Sequence, residues 1–160
     1  MFDHALIATL HWPALALVPL LAWACVTDLQ SRIISNRLNA GIALLAPFGW
    51  LLAELTLGEL GWRVGLALLL FAFYALAFRL GQMGGGDVKF GAALALWFAP
   101  AEMFHFVIVT ALAGAVVTIG TIIWHRATRR PGSPENPYGL AIAAGALAVL
   151  AQRYLNHFAG

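Results

Sequence analysis

Two carboxylates, Asp28 and Asp87, end apolar stretches in a chain of 160 residues of which 62% are hydrophobic and only 10% charged. A carboxylate at the edge of a bilayer is costly to desolvate, so its presence there asks for a functional partner. Two of them suggest an acid and a base. One protonated carboxyl polarises a carbonyl while the other, ionised, takes a proton from water. Repulsion and desolvation keep two such groups from ionising together, so one proton stays shared near working pH.

The flanks differ. Around the first acid the sequence reads Thr27-Asp28-Leu29-Gln30-Ser31-Arg32-Ile33-Ile34-Ser35-Asn36, a polar turn between two apolar segments, in which Ser35 or Asn36 can cap the following helix. Around the second it reads Met83-Gly84-Gly85-Gly86-Asp87-Val88-Lys89-Phe90. Three glycines in a row cost backbone entropy and suit a place of close backbone approach, giving Asp87 a mobile rim. A helix beginning after Asp87 favours its ionised form, whereas Asp28 follows a helix and gains no such help.

Placing these residues is the task of long apolar segments. A mean hydropathy of +0.85 and apolar runs too long for strands predict an all-α polytopic membrane protein in one domain, residues 1–160. Six spans are expected, each near the length that crosses a bilayer or shorter. They run from about Leu6 to Val26 (with Pro13 and Pro19), Leu38 to Leu57, Val64 to Leu80, a short Phe90 to Ala99 that stops at Pro100, Met103 to Trp124, and Tyr138 to Tyr154. Asn136 is placed to cap the last, and Pro137 to open it. The chain's beginning lacks the basic n-region of a signal peptide, so the first segment is expected to stay as a helix.

Arg32, Arg37, Arg79, Lys89, Arg126, Arg129 and Arg130 fall on one side of these spans. Arg63 and Arg153 fall on the other, with Glu54, Glu59 and Glu102. By the positive-inside rule the first side is cytoplasmic and both termini lie outside. Asp28 and Asp87 then share the cytoplasmic face, which a common site requires.

The combined pattern resembles the type IV prepilin peptidases, intramembrane aspartyl proteases with a Gly-x-Gly-Asp motif. Gly84, Gly86 and Asp87 match that motif, extended by Val88 and Lys89. Asp28, Arg32, Ile34 and Asn36 match the first, Asp-containing motif, and Pro137-Tyr138-Gly139 looks like the family's last segment. Gln30 stands where a basic residue is common, and Ser35 where many members have proline. The resemblance implies Asp28 and Asp87 as catalytic residues, with Gly84, Gly85, Gly86, Lys89, Arg32 and Asn36 shaping the site or binding substrate. It implies a prepilin substrate whose short basic leader is cleaved at the cytoplasmic boundary of the bacterial inner membrane. Membrane lipid and the pilus assembly machinery are the other expected partners; nucleic acid is not. Length and cysteine content point to the short, protease-only form of Flp or tight-adherence systems, with neither a methyltransferase domain nor a cofactor.

Other features carry less. Cys25 is the single cysteine, which excludes an internal disulfide or thiolate zinc cluster and reads as a packed thiol. Glu102 and His105 have no third ligand nearby, so no metal is expected. Gly61 and Gly65 suit close helix packing within the monomer. Trp12, Trp50, Trp62, Trp97 and Trp124 read as interfacial anchors. A transporter or an inactive paralogue using the same acids remains an alternative, and the oligomeric state is open.

Overall fold

The computed structural model of the chain describes residues 14–128 and 137–159, with side chains described as far as Asn156. The start of the first expected span, Trp12, Pro13, Arg129, Arg130 and the capping Asn136 lie outside these residues. The described residues form six helices and no strand: α1 (Leu17–Ser31), α2 (Asn36–Leu52), α3 (Leu57–Arg79), α4 (Gly85–Ala95), α5 (Pro100–Ala127) and α6 (Tyr138–Ala159). Three of them are long and apolar enough to cross a membrane, over Leu57–Arg79, Pro100–Ala127 and Tyr138–Asn156. Their outer faces carry exposed Leu69, Phe73, Phe104, Leu112, Val116 and Ile123. Helices apolar on every face belong in lipid, and the protein is a helical membrane protein.

Several boundaries differ from the sequence reading. α1 continues through Ser31, so Asp28 lies in its last turn and not in a loop. Pro19 occupies the first turn of α1, where no helical hydrogen bond needs its missing N–H. Ser35 caps α2, its side chain accepting the Leu38 amide at 3.2 Å. α3 begins seven residues early, at Leu57, because Thr56 and Glu59 form a capping box. α4 opens at Gly85, which puts Asp87 inside its first turn. Pro100 does not end α4 but begins α5, after a turn at Leu96 and Trp97.

α4 is the hub. Its 11 residues, about 16 Å of helix, cannot span a hydrocarbon core of about 30 Å, and α2, α3 and α6 enclose it. α6 also packs along α1 and α5. Phe90, Phe98 and Phe106 are fully buried, the last two with ring centroids 5.1 Å apart. Tyr74 of α3 lies so close to Gly91 of α4 that any side chain there would collide with its ring.

The far end of α4 is held by polar groups. Trp97 Nε1 donates to Ile42 O at 3.0 Å, and Trp50 Nε1 to Leu96 O at 2.9 Å. These two tryptophans therefore bind α2 to the α4–α5 turn; Trp62 and Trp124 are exposed. Arg63 donates to Trp97 O at 2.7 Å, and Arg153 grips Glu102 through two hydrogen bonds of 2.7 and 2.9 Å. Glu102 Oε2 also accepts the Ala99 amide, so its carboxylate is engaged and not offered with His105 to a metal. The expected packing at Gly61 and Gly65 does not occur among the described residues: a Cβ added at either would meet no neighbouring helix within 4 Å.

Candidate active site

The opposite end of the bundle collects both acid motifs. The α1–α2 connection, the start of α4 and the start of α6 meet there, and Ile34 is their wedge. It is 4% exposed; a Cβ on Gly86 would stand 3.0 Å from its carbonyl oxygen, and one on Gly139 would stand 2.6 Å from its Cδ1. The two glycines thus let helices α4 and α6 close on one side chain.

Asp28 and Asp87 are 3% and 8% exposed, and each carboxylate meets a helix amino-terminus. Asp28 Oδ2 accepts the Leu140 amide at 3.0 Å, serving α6 as a cap supplied from another helix. Asp87 is the third residue of α4, and its Oδ2 lies over Gly84, where an added Cβ would be 2.9 Å away. First-turn amides and the aligned peptide dipoles compensate negative charge at both places. The expectation that Asp28 gains no help from a helix is therefore corrected, and with it the basis for ranking the two acids. The carboxylates are close enough to interact electrostatically.

The glycine triplet has a different use from a loose rim. Gly85 and Gly86 are the first two residues of α4, and Gly84 is its cap in extended conformation. The missing side chains of Gly86 and Gly84 admit the Ile34 backbone and the Asp87 carboxylate, whereas a Cβ on Gly85 would touch Phe78 at an ordinary 3.4 Å. Arg32 ends α1 with φ of 54°, a left-handed conformation costly for a side chain with a Cβ, and its charge acts on Asp28. Lys89 Nζ donates to Asn36 Oδ1 at 2.8 Å, joining α4 to α2. All eight residues singled out from the sequence lie at this end, with Lys89 and Asn36 engaged with each other.

Three neighbours were missed. Asn39, 4% exposed, donates from Nδ2 to Gly86 O at 3.0 Å and so holds the turn before Asp87. Its signal was present as a lone amide inside an apolar span. Tyr74 is 6% exposed and lies against Gly91, one helical turn beyond Asp87. Leu140 contributes only its amide, which no side-chain pattern can announce. Cys25 is free and packs against the core. Among the described residues no group of three or more metal-ligating side chains occurs.

Two buried carboxyls sharing one electrostatic environment can divide the roles of acid and base toward a polar bond brought between them. Residues 15–119 match the type IV leader peptidase family, a stretch that includes both acids. A prepilin leader peptidase/N-methyltransferase of Pectobacterium carotovorum subsp. carotovorum is 27% identical over 139 residues, covering 84% of this chain and 49% of that protein. The chain thus spans about half the length of this curated relative. No solved structure matches it. With the match extending over more than half of its residues and across both acid motifs, the chain belongs to the type IV leader peptidase family.

Proposed function

We propose that this chain is an intramembrane aspartyl endopeptidase that removes the short basic leader of prepilins, with Asp28 and Asp87 as its catalytic pair. The observation that carries this reading is the burial of two acids, 59 positions apart in sequence, at one end of the bundle and each at a helix amino-terminus. One carboxylate takes a proton from water as its oxygen bonds to the scissile carbonyl carbon. The other carboxyl gives its proton to the carbonyl oxygen, and a tetrahedral diol forms. Collapse of the diol breaks the C–N bond, the nitrogen takes a proton, and the pair returns to its starting state.

Six crossings with this site on the cytoplasmic face of the inner membrane complete the proposal. The basic residues Arg32, Arg37, Arg79, Lys89 and Arg126 stand at the acid end, which supports that orientation. At the other end Arg63 and Arg153 are engaged by Trp97 O and Glu102, so they weigh little against it. A Flp-type prepilin is the proposed substrate, cleaved without methylation of the new amino-terminus.

Co-expression with a Flp-type prepilin, followed by mass spectrometry of the pilin, tests these statements together. Wild type should yield the leaderless, unmethylated product, and Asp28→Asn and Asp87→Asn the intact precursor. Unchanged processing in either variant would falsify the dyad, and a methylated product would remove the protease-only assignment.

A further inference from the structure

The groove flanked by α2, α3 and α4 leads from the acid end toward the middle of the bundle. It encloses about 550 Å³, within the range of about 300–1,000 Å³ that holds a bound organic group. Asn36 and Lys89 stand at its upper end. Below them the wall passes through Ala40 and Ala43 on α2, Ala67 and Leu68 on α3, Ala92 and Ala93 on α4, and Leu96 in the turn after it. Alanines on three helices leave room for an occupant to approach the backbones closely.

One polar atom in this wall is unanswered. Asn39 gives its Nδ2 hydrogen to Gly86 O, but its Oδ1 is buried with no partner among the described residues. A buried acceptor without a donor keeps its full desolvation cost. Lipid acyl chains have no N–H or O–H to offer. A peptide does, most of all where a helix begins, because its first four amides have no partner within the helix.

We infer that this groove seats the apolar segment that follows the scissile bond of the peptide substrate, and that Asn39 turns its Oδ1, closed from the groove in the free enzyme, outward to accept one of its first backbone amides. The assignment rests on the endopeptidase reading and names where its substrate lies. Asn39 then touches the substrate on one side and Gly86, the residue before Asp87, on the other. A bound segment is registered against the catalytic turn through one side chain. The Lys89 charge at the upper end repels a basic leader, which favours the mature side of the substrate in the groove. A second cavity, of about 540 Å³ between α3 and α5, also reaches toward the site past Tyr74 and Tyr138. Its unpartnered polar atom, Thr110 Oγ1, is turned against Gly145 of α6, so it makes no comparable demand on an occupant.

The experiment uses full-length enzyme in membranes, with Cys25→Ala to remove the native thiol and Asp28→Asn to keep the substrate intact. A prepilin carrying a single cysteine early in its apolar segment is oxidised against Ala40→Cys in the first groove or Ala115→Cys in the second cavity. Cross-linking through position 40 and not 115 is expected. In otherwise wild-type enzyme, Ala40→Phe should raise KM about tenfold with kcat within about twofold, while Ala115→Phe changes neither. Asn39→Leu and Asn39→Asp both disturb the bond to Gly86, but only aspartate retains an acceptor. KM should therefore rise about fivefold more for leucine. Cross-linking through position 115, or none through 40 while wild type cleaves normally, would overturn the groove assignment and leave the groove to lipid. Equal KM for the two Asn39 variants would overturn the amide contact. A wild-type enzyme that cleaves no prepilin would instead sink the parent reading.

Discussion

The Leu140 amide donates to Asp28 Oδ2 at 3.0 Å across 112 residues of sequence, so an acid at the end of α1 caps the start of α6. On the proposed reading, chemistry and architecture share one carboxylate. An asparagine at 28 keeps an oxygen acceptor for the amide but cannot exchange a proton as an acid or base. Asp28→Asn should melt close to wild type, whereas Asp28→Ala should lose about 0.5–2 kcal/mol as an uncapped helix end does. Both should abolish leader cleavage. Thermal unfolding and hydrogen exchange at Leu140 read the difference, and equal stability of the two variants would remove the capping role.

Two glycines separate close approach from chance. A Cβ on Gly139 would stand 2.6 Å from Ile34 Cδ1 and 2.8 Å from Asp28 Oδ2, whereas one on Gly65 would meet nothing within 4 Å. Gly139→Ala should cost about 1–3 kcal/mol by overpacking and lower kcat at least about tenfold by displacing the acid. Gly65→Ala should leave cleavage unchanged and stabilise α3 by about 0.5–1 kcal/mol. Similar melting temperatures and rates for the two variants would show that the Ile34 wedge is not tight.

The same pair of glycines marks what a sequence discloses. The order of the helices in the described residues was legible because apolar length and charge placement are local properties, and Asp28 and Asp87 stood out because charge is rare here. The purpose of a glycine is not local: Gly61 and Gly65 have the spacing of a packing motif yet face open space, while Gly91 admits Tyr74 without any motif. Trp97 has an interfacial composition signature, but its indole and carbonyl serve Ile42 and Arg63. Asn39 and Leu140 acquire their roles only when α4 and α6 converge on the α1–α2 connection. Where several helix ends meet, tertiary partners decide function, and spacing along one helix cannot name them.

At the far end, Arg153 bridges α6 to α5 through Glu102, with side chains 16% and 27% exposed. Two hydrogen bonds in a partly buried setting should outweigh the usual surface pair. Arg153→Met should destabilise by about 1–3 kcal/mol, because it removes both hydrogen bonds that Arg153 gives Glu102. A double-mutant cycle with Glu102→Gln should give a coupling of about 0.5–3 kcal/mol. The acids lie at the other end, so kcat should be preserved in the folded fraction. A coupling near zero would make this contact a surface pair of little consequence.

As the proposed catalytic pair, the two carboxyls also set the expected shape of the pH response. Both are buried and they interact, so the pair loses its protons in two macroscopic steps. Below the first step both are protonated and no base accepts the proton of water; above the second both are ionised and no acid protects the carbonyl oxygen. The profile of kcat/KM should therefore rise through the first step and fall through the second, with its maximum where the pair holds one proton. Asp28→Asn and Asp87→Asn should each eliminate activity across the whole range, since neither remaining acid can supply both functions. The measurement is cleavage of a purified prepilin in lipid vesicles between about pH 4 and 10, with folding checked at each extreme. A rate that rises once and stays level to the alkaline end, with the enzyme folded, would mean that no protonated carboxyl takes part.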